Sequence, residues 1–147
     1  MAVLIDWLIE GEVIYQQWWG TGTLDDARYV NRRTLELFAE YPDRPLIHSL
    51  VNAVYQEKTE VSIASARRIY TVLDHRQIGW ILMSSDNTFL AFFGNIILQL
   101  RNKIRFRVLK SLDDSIDFLK EADDSIHWDQ ADWSVIERFE AEMEASQ

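Results

Sequence analysis

Along most of this chain, short β-branched and aromatic runs alternate with stretches whose apolar residues recur at helical spacing. That alternation restricts the chain to a layered α/β architecture. The clearest strand is Ile78-Gly79-Trp80-Ile81-Leu82-Met83, a continuous apolar run of the kind covered on both faces of a parallel sheet. Val3 to Ile9 and Val13 to Trp19 flank Glu10-Gly11-Glu12 and form a predicted β-hairpin. In its second arm Val13, Tyr15 and Gln17 alternate with Ile14, Gln16 and Trp18, which makes one face wetter, and Gly20-Thr21-Gly22 is expected to break the strand.

Helix starts are written in capping patterns. Thr23-Leu24-Asp25-Asp26 puts a hydroxyl before the first turn and acids at the positive end of the dipole, ahead of Ala27, Val30, Leu37 and Phe38. Pro42-Asp43-Arg44-Pro45 stops that helix. Leu46 to Val54 follows, a strand through Leu50 or Val51, and residues 61 to 73 are a predicted helix. Asp86 or Asn87 caps a helix from Thr88 to Arg101. Ile104, Phe106 and Val108 alternate with Arg105, Arg107 and Leu109, as suits a sheet edge guarded by charge. Ser111-Leu112-Asp113-Asp114 repeats the capping pattern, with Leu112, Ile116, Leu119 and Ala122 facing inward. An amphipathic stretch carrying Trp133, Ile136, Phe139 and Met143 closes the chain.

The expected fold is thus β-β-α-β-α-β-α-β-α with an extra C-terminal helix, built on a mixed, mostly parallel sheet of about five strands. No Gly/Ser/Pro-rich linker divides the chain. Residues 1–123 are expected to form one domain, and 124–147 an acidic extension packed on it or on a partner.

Charge narrows the range of partners. From Glu121 onward the chain has nine acids against Arg138 alone, whereas the first 120 residues hold 15 acids and 14 bases. Such a balance opposes phosphate backbones and anionic lipid surfaces, so no nucleic-acid partner is expected. Cys is absent, which excludes disulfides, thiolate metal sites and a Cys nucleophile, and fits a cytoplasmic location. Met1 to Trp7 has no basic region and meets Asp6 early, unlike a signal peptide, and no apolar run is long enough for a membrane span. His48, His75 and His127 lack metal-ligand spacing, and there is no G-x-S-x-G, P-loop or G-x-G-x-x-G. No catalytic residue, cofactor or metal is expected. Asp25-Asp26 and Asp113-Asp114 are accounted for by capping.

The order of elements over roughly residues 3 to 123 resembles the STAS-like (SpoIIAA-like) domains, the family of anti-sigma-factor antagonists. The similarity is clearest from Trp80 to Asp123. There a strand ends in Ser84-Ser85-Asp86-Asn87 and is followed by an apolar helix, then by Lys103 to Val108 and Ser111-Leu112-Asp113-Asp114-Ser115-Ile116. The resemblance implies an interaction domain with a phosphorylatable Ser or Thr in a short Asp-Ser-Ser/Thr-Gly loop. In this chain the matching segment is Glu57-Lys58-Thr59-Glu60. Lys58 stands at the phosphorylatable position and Glu60 at that of the Gly, with Thr59 the remaining possible acceptor. Glu57 and Glu60 oppose a phosphate there by like charge, so the expected domain lacks the phospho-switch.

Two surfaces are candidates for binding. The first is the rim at the carboxyl ends of the parallel strands, Asn52 to Lys58, Ser84 to Asn87 and Lys110-Ser111. The second is the predicted helix Thr88 to Arg101. Its stripe includes Phe89 and Phe93, while Ala91, Gly94, Asn95 and Leu98 make an unusually small, half-polar back. A homodimer or protein partner, or the chain's own Trp133–Met143 helix, would cover that back. A small apolar or lipid-like ligand would instead sit beside Phe89, Phe92 and Phe93. The expected role is a protein-interaction or small-ligand-binding domain, with a carrier or enzyme for an apolar ligand as the alternative. The basic run Arg101 to Lys110 is expected to receive the acidic tail.

Overall fold

The computed structural model describes residues 1–88 and 104–147. Its sheet has five strands in sequential order: β1 (Val3–Ile9), β2 (Val13–Gly22), β3 (Ile47–Thr59), β4 (Ile78–Ser84) and β5 (Phe106–Leu109). β1 runs antiparallel to β2, and the remaining pairs are parallel. The described helices are α1 (Leu24–Glu40), α2 (Ile63–Ile69), α3 (Leu112–Ala122) and α4 (Ser134–Ala145).

Caps fix the helix starts as the sequence predicts. The Thr23 hydroxyl accepts from Asp26 N at 3.1 Å, and the Asp26 carboxylate accepts from Thr23 N at 3.0 Å, a reciprocal capping box. Ser111 accepts from Asp114 N at 3.1 Å in the same way for α3.

Alternation along the strands divides the core into two layers. Ile14, Trp18, Ile47 and Val51 join Leu37 and Phe38 of α1 on one face. Leu8, Tyr15, Leu50 and Leu82 join Ile116 and Leu119 of α3 and Val135 and Phe139 of α4 on the other. α4 therefore lies on β1 and β2 of its own chain.

Several expectations change. The glycines do not break β2: Gly20 takes φ 57°, and with register shifts on either side the strand continues to Gly22. β3 consequently has a partner far past Leu50, with Gly20 opposite Gln56, Thr21 opposite Lys58 and Gly22 opposite Thr59. Lys58 and Thr59 are thus the end of a strand, not a loop. The predicted 61–73 helix is shorter, a seven-residue α2 followed at Thr71–Asp74 by a 3-10 turn. β2 has no wet face, because every residue from Val13 to Trp19 is buried. Ala122 is exposed. The inward stripe of α4 is Val135, Phe139 and Met143, while Trp133 remains 44% exposed and Ile136 is half-buried.

Candidate functional site

Short side chains open a cavity between the first face and the helices above it. Ser49 and Val51 of β3 look toward Val30 and Thr34 of α1, and none of the four reaches across the gap. The result is an apolar cavity of about 150 Å³, completed by Val72 and Leu73 from the 3-10 turn and by Ile78, Ile81, Met83 and Phe106 from the sheet. It reaches the carboxyl-end rim at Gln56 and Thr59.

Its polar groups are few and placed at the border. The Gln16 side-chain carbonyl accepts from Trp18 Nε1 at 3.1 Å, and the Thr34 hydroxyl donates to Val30 O at 2.7 Å. Ser49 and Tyr70 bring further hydroxyls to the wall. Burial raises the Tyr70 phenol well above its ordinary value, with a smaller push from Asp26, so it remains a neutral O–H donor. A cavity of this size and apolar lining accommodates an aromatic ring or a short branched alkyl group.

At the amino ends of the strands the other face carries a polar cluster. His48, 2% exposed, contacts Asp123 through Nε2 at 2.7 Å, and its Nδ1 accepts the backbone N–H of Trp80 at 2.9 Å. Since Nδ1 is an acceptor, the proton sits on Nε2 and is donated to the carboxylate. Burial lowers the His48 pKa against the opposing pull of Asp123. Burial raises the Asp123 pKa, but hydrogen bonds from Ser125 and His48 outweigh it and leave that carboxyl below its ordinary value.

Gly79 makes room for this arrangement. A Cβ there would meet His48 Nδ1 at 2.5 Å and Ile47 O at 2.9 Å. With both ring nitrogens engaged, His48 is not free to take a proton from a substrate. The Ser125 hydroxyl bonds Asp123 instead of the imidazole, so the three residues do not form a nucleophilic triad. Nearby, Glu12, only 7% exposed, accepts from His127 N at 3.1 Å and contacts its Nδ1 at 3.0 Å.

A sequential sheet of one antiparallel and three parallel pairings, with α1 and α2 on one face and α3 on the other, has a counterpart among solved structures. It is the crystal structure of an uncharacterised protein of the DUF3478 family with a SpoIIAA-like fold from Shewanella loihica PV-4. The likeness has TM-score 0.59 at 14% identity and covers 80% of this chain and 94% of that one. The fold is SpoIIAA-like. No protein-family model and no curated protein matches the sequence, so the SpoIIAA-like relation rests on structure.

Within the SpoIIAA-like frame the expected site residues scatter. Thr59 lines the cavity, whereas Lys58 lies on the exposed end of β3. Trp133 stacks on Trp128 at 6.0 Å, and Ile136 packs against the core beneath α4. Ala91, Gly94, Asn95, Leu98, Phe89, Phe92 and Phe93 lie outside the described residues. Of the basic run expected to receive the acidic tail, Arg101 and Lys103 lie outside the described residues, and among the described residues Asp123 pairs with His48. Arg107 instead lies over the Phe118 ring at 4.9 Å. Among the described residues no group of three or more His, Asp or Glu is arranged to hold a metal. No described helix is long and apolar enough to cross a membrane.

His48 and Asp123 are 75 positions apart, and no motif in the sequence pairs them. One signal was available: an imidazole within the apolar run Leu46 to Val54 must find a partner once buried.

Proposed function

We propose that this chain is a non-catalytic binding domain that takes a small, mainly apolar ligand into the cavity between the sheet and α1. The cavity itself supports the reading: about 150 Å³ of apolar space, bordered by the hydroxyls of Ser49 and Tyr70. Its size favours a single ring or short alkyl group over a lipid chain. The occupied nitrogens of His48 favour binding over catalysis. The test is titration with indole or benzene, followed by NMR shifts of the methyls of Val30, Val51 and Ile81. Shifts that vanish in Val51→Phe, a variant that fills the space, support the reading. Unchanged methyl signals at saturating probe overturn it.

A second reading, association with another copy or a protein partner through the tail, draws on the exposed Trp133 stacked over Trp128. Native mass spectrometry decides it. A dimer that Trp133→Ala converts to monomer supports this reading, and a monomeric wild type removes it for self-association.

A further inference from the structure

A second concavity among the described residues lies on the opposite face of the sheet, at the amino ends of β3 and β4. It is a cleft of about 510 Å³ with Arg44, Arg105 and His127 in its wall, alongside the His48–Asp123 and Glu12–His127 pairs. We propose that this cleft is a binding site for a small hydroxylated oxyanion, a hydroxy-carboxylate or hydrogen phosphate, with Arg44 and Arg105 taking the anionic oxygens and His127 Nε2 the hydroxyl.

Three observations carry the assignment. First, the carboxylates in the cleft are already committed. Asp123 is bonded by His48, Ser125 N and the Ser125 hydroxyl, and Glu12 by the backbone and ring of His127. Second, among the described residues neither Arg44 nor Arg105 is paired with a carboxylate. Arg105 is close enough to His48 to disfavour protonation of that ring. Two unpaired guanidiniums in one concavity are the donors that bidentate oxyanion recognition requires. Third, Glu12 fixes the His127 ring. In the tautomer that carries Nδ1–H toward the buried carboxylate, Nε2 is an acceptor, and it has no partner among the described residues. An acceptor beside two cationic donors matches a ligand that carries an O–H next to its charge.

Charge within the cleft nearly cancels, so recognition depends on hydrogen-bond geometry more than on net potential. The site is independent of the apolar cavity, which lies across the sheet.

Calorimetric titration of the whole protein with malate, succinate and inorganic phosphate tests the proposal, with the Trp80 amide signal as a local reporter because that N–H bonds His48. Malate and phosphate are expected to bind and shift the Trp80 amide, and succinate, which lacks the hydroxyl, to bind several-fold more weakly. Arg44→Ala with Arg105→Ala should weaken malate and phosphate by about tenfold or more while the fold is retained. His127→Gln should narrow the gap between malate and succinate. A response to phosphate with none to malate would assign the site to phosphate; the reverse would assign it to hydroxy-carboxylates. No response to malate or phosphate up to about 10 mM, or equal binding by the double arginine variant, overturns the proposal.

Discussion

Beneath α4, Tyr15, Gln17 and Asn52 are tied into a continuous chain of bonds, whereas their neighbours in the same strands, Gln16, Ser49 and Val51, border a cavity. On the α4 face Asn52 Nδ2 donates to the Tyr15 hydroxyl at 3.0 Å, that hydroxyl donates to Gln17 Oε1 at 2.7 Å, and Gln17 Nε2 donates to Met143 Sδ at 3.3 Å. Burial pushes the Tyr15 phenol up to about 12, so the hydroxyl stays a donor throughout the working range. Tyr15 also stacks on Phe139 at 5.9 Å. The bonded chain of Asn52, Tyr15, Gln17 and Met143 fixes how the tail helix lies, although Trp128 Nε1 on the same face is buried without a partner. On the other face short side chains leave space. One face is spent on holding the chain together and the other is left with room for a guest.

Three substitutions break or sharpen that contrast. Phe139→Ala removes a ring from the closed face and leaves a void under α4. It should cost about 3–5 kcal/mol in urea unfolding, and a loss below about 1 kcal/mol would mean that α4 is not part of the cooperative core. Leu50→Phe and Val51→Phe place the same side chain on opposite faces one residue apart. The first should destabilise by about 1–3 kcal/mol through overpacking, while the second should stay within about 0.5 kcal/mol of wild type. Equal losses would show that both faces are packed to the same density.

The smallest effect is acid sensitivity. His48 is held below its ordinary value, so the unfolded chain takes the proton more readily than the folded one. Its contribution is therefore complete above roughly pH 6.5 and is lost as pH falls. Asp123, also held low, shifts stability in the same direction at more acid pH. His48→Gln keeps a donor toward Asp123 without a titrating ring. The decline in unfolding midpoint between roughly pH 7 and 5 should be shallower in that variant than in wild type, and parallel declines would show that the imidazole is not the group responsible.

Local signals in the sequence predicted the helix starts and the central strand well. Thr23 with Asp26 and Ser111 with Asp114 cap helices as written, and Ile78 to Met83 lies within β4. Errors came where local preference was overruled from elsewhere in the fold. Gly20 and Gly22 look like a strand end, yet pairing with β3 carries β2 through them. Gln16 and Gln17 look solvated, yet α4 and Trp18 supply what they need. Of the two candidate sites only the rim at Gln56 falls within a surface that the sequence points to, because a cavity is a shortfall among side chains from several elements. The His48–Asp123 and Glu12–His127 pairs likewise join residues 75 and 115 positions apart.

The bond from Gln17 to Met143 spans 126 positions. At ordinary rates of chain elongation, β2 waits on the order of ten seconds at the ribosome before α4 exists. For that interval Leu8, Val13 and Tyr15 lack the α4 side chains that cover them in the finished fold.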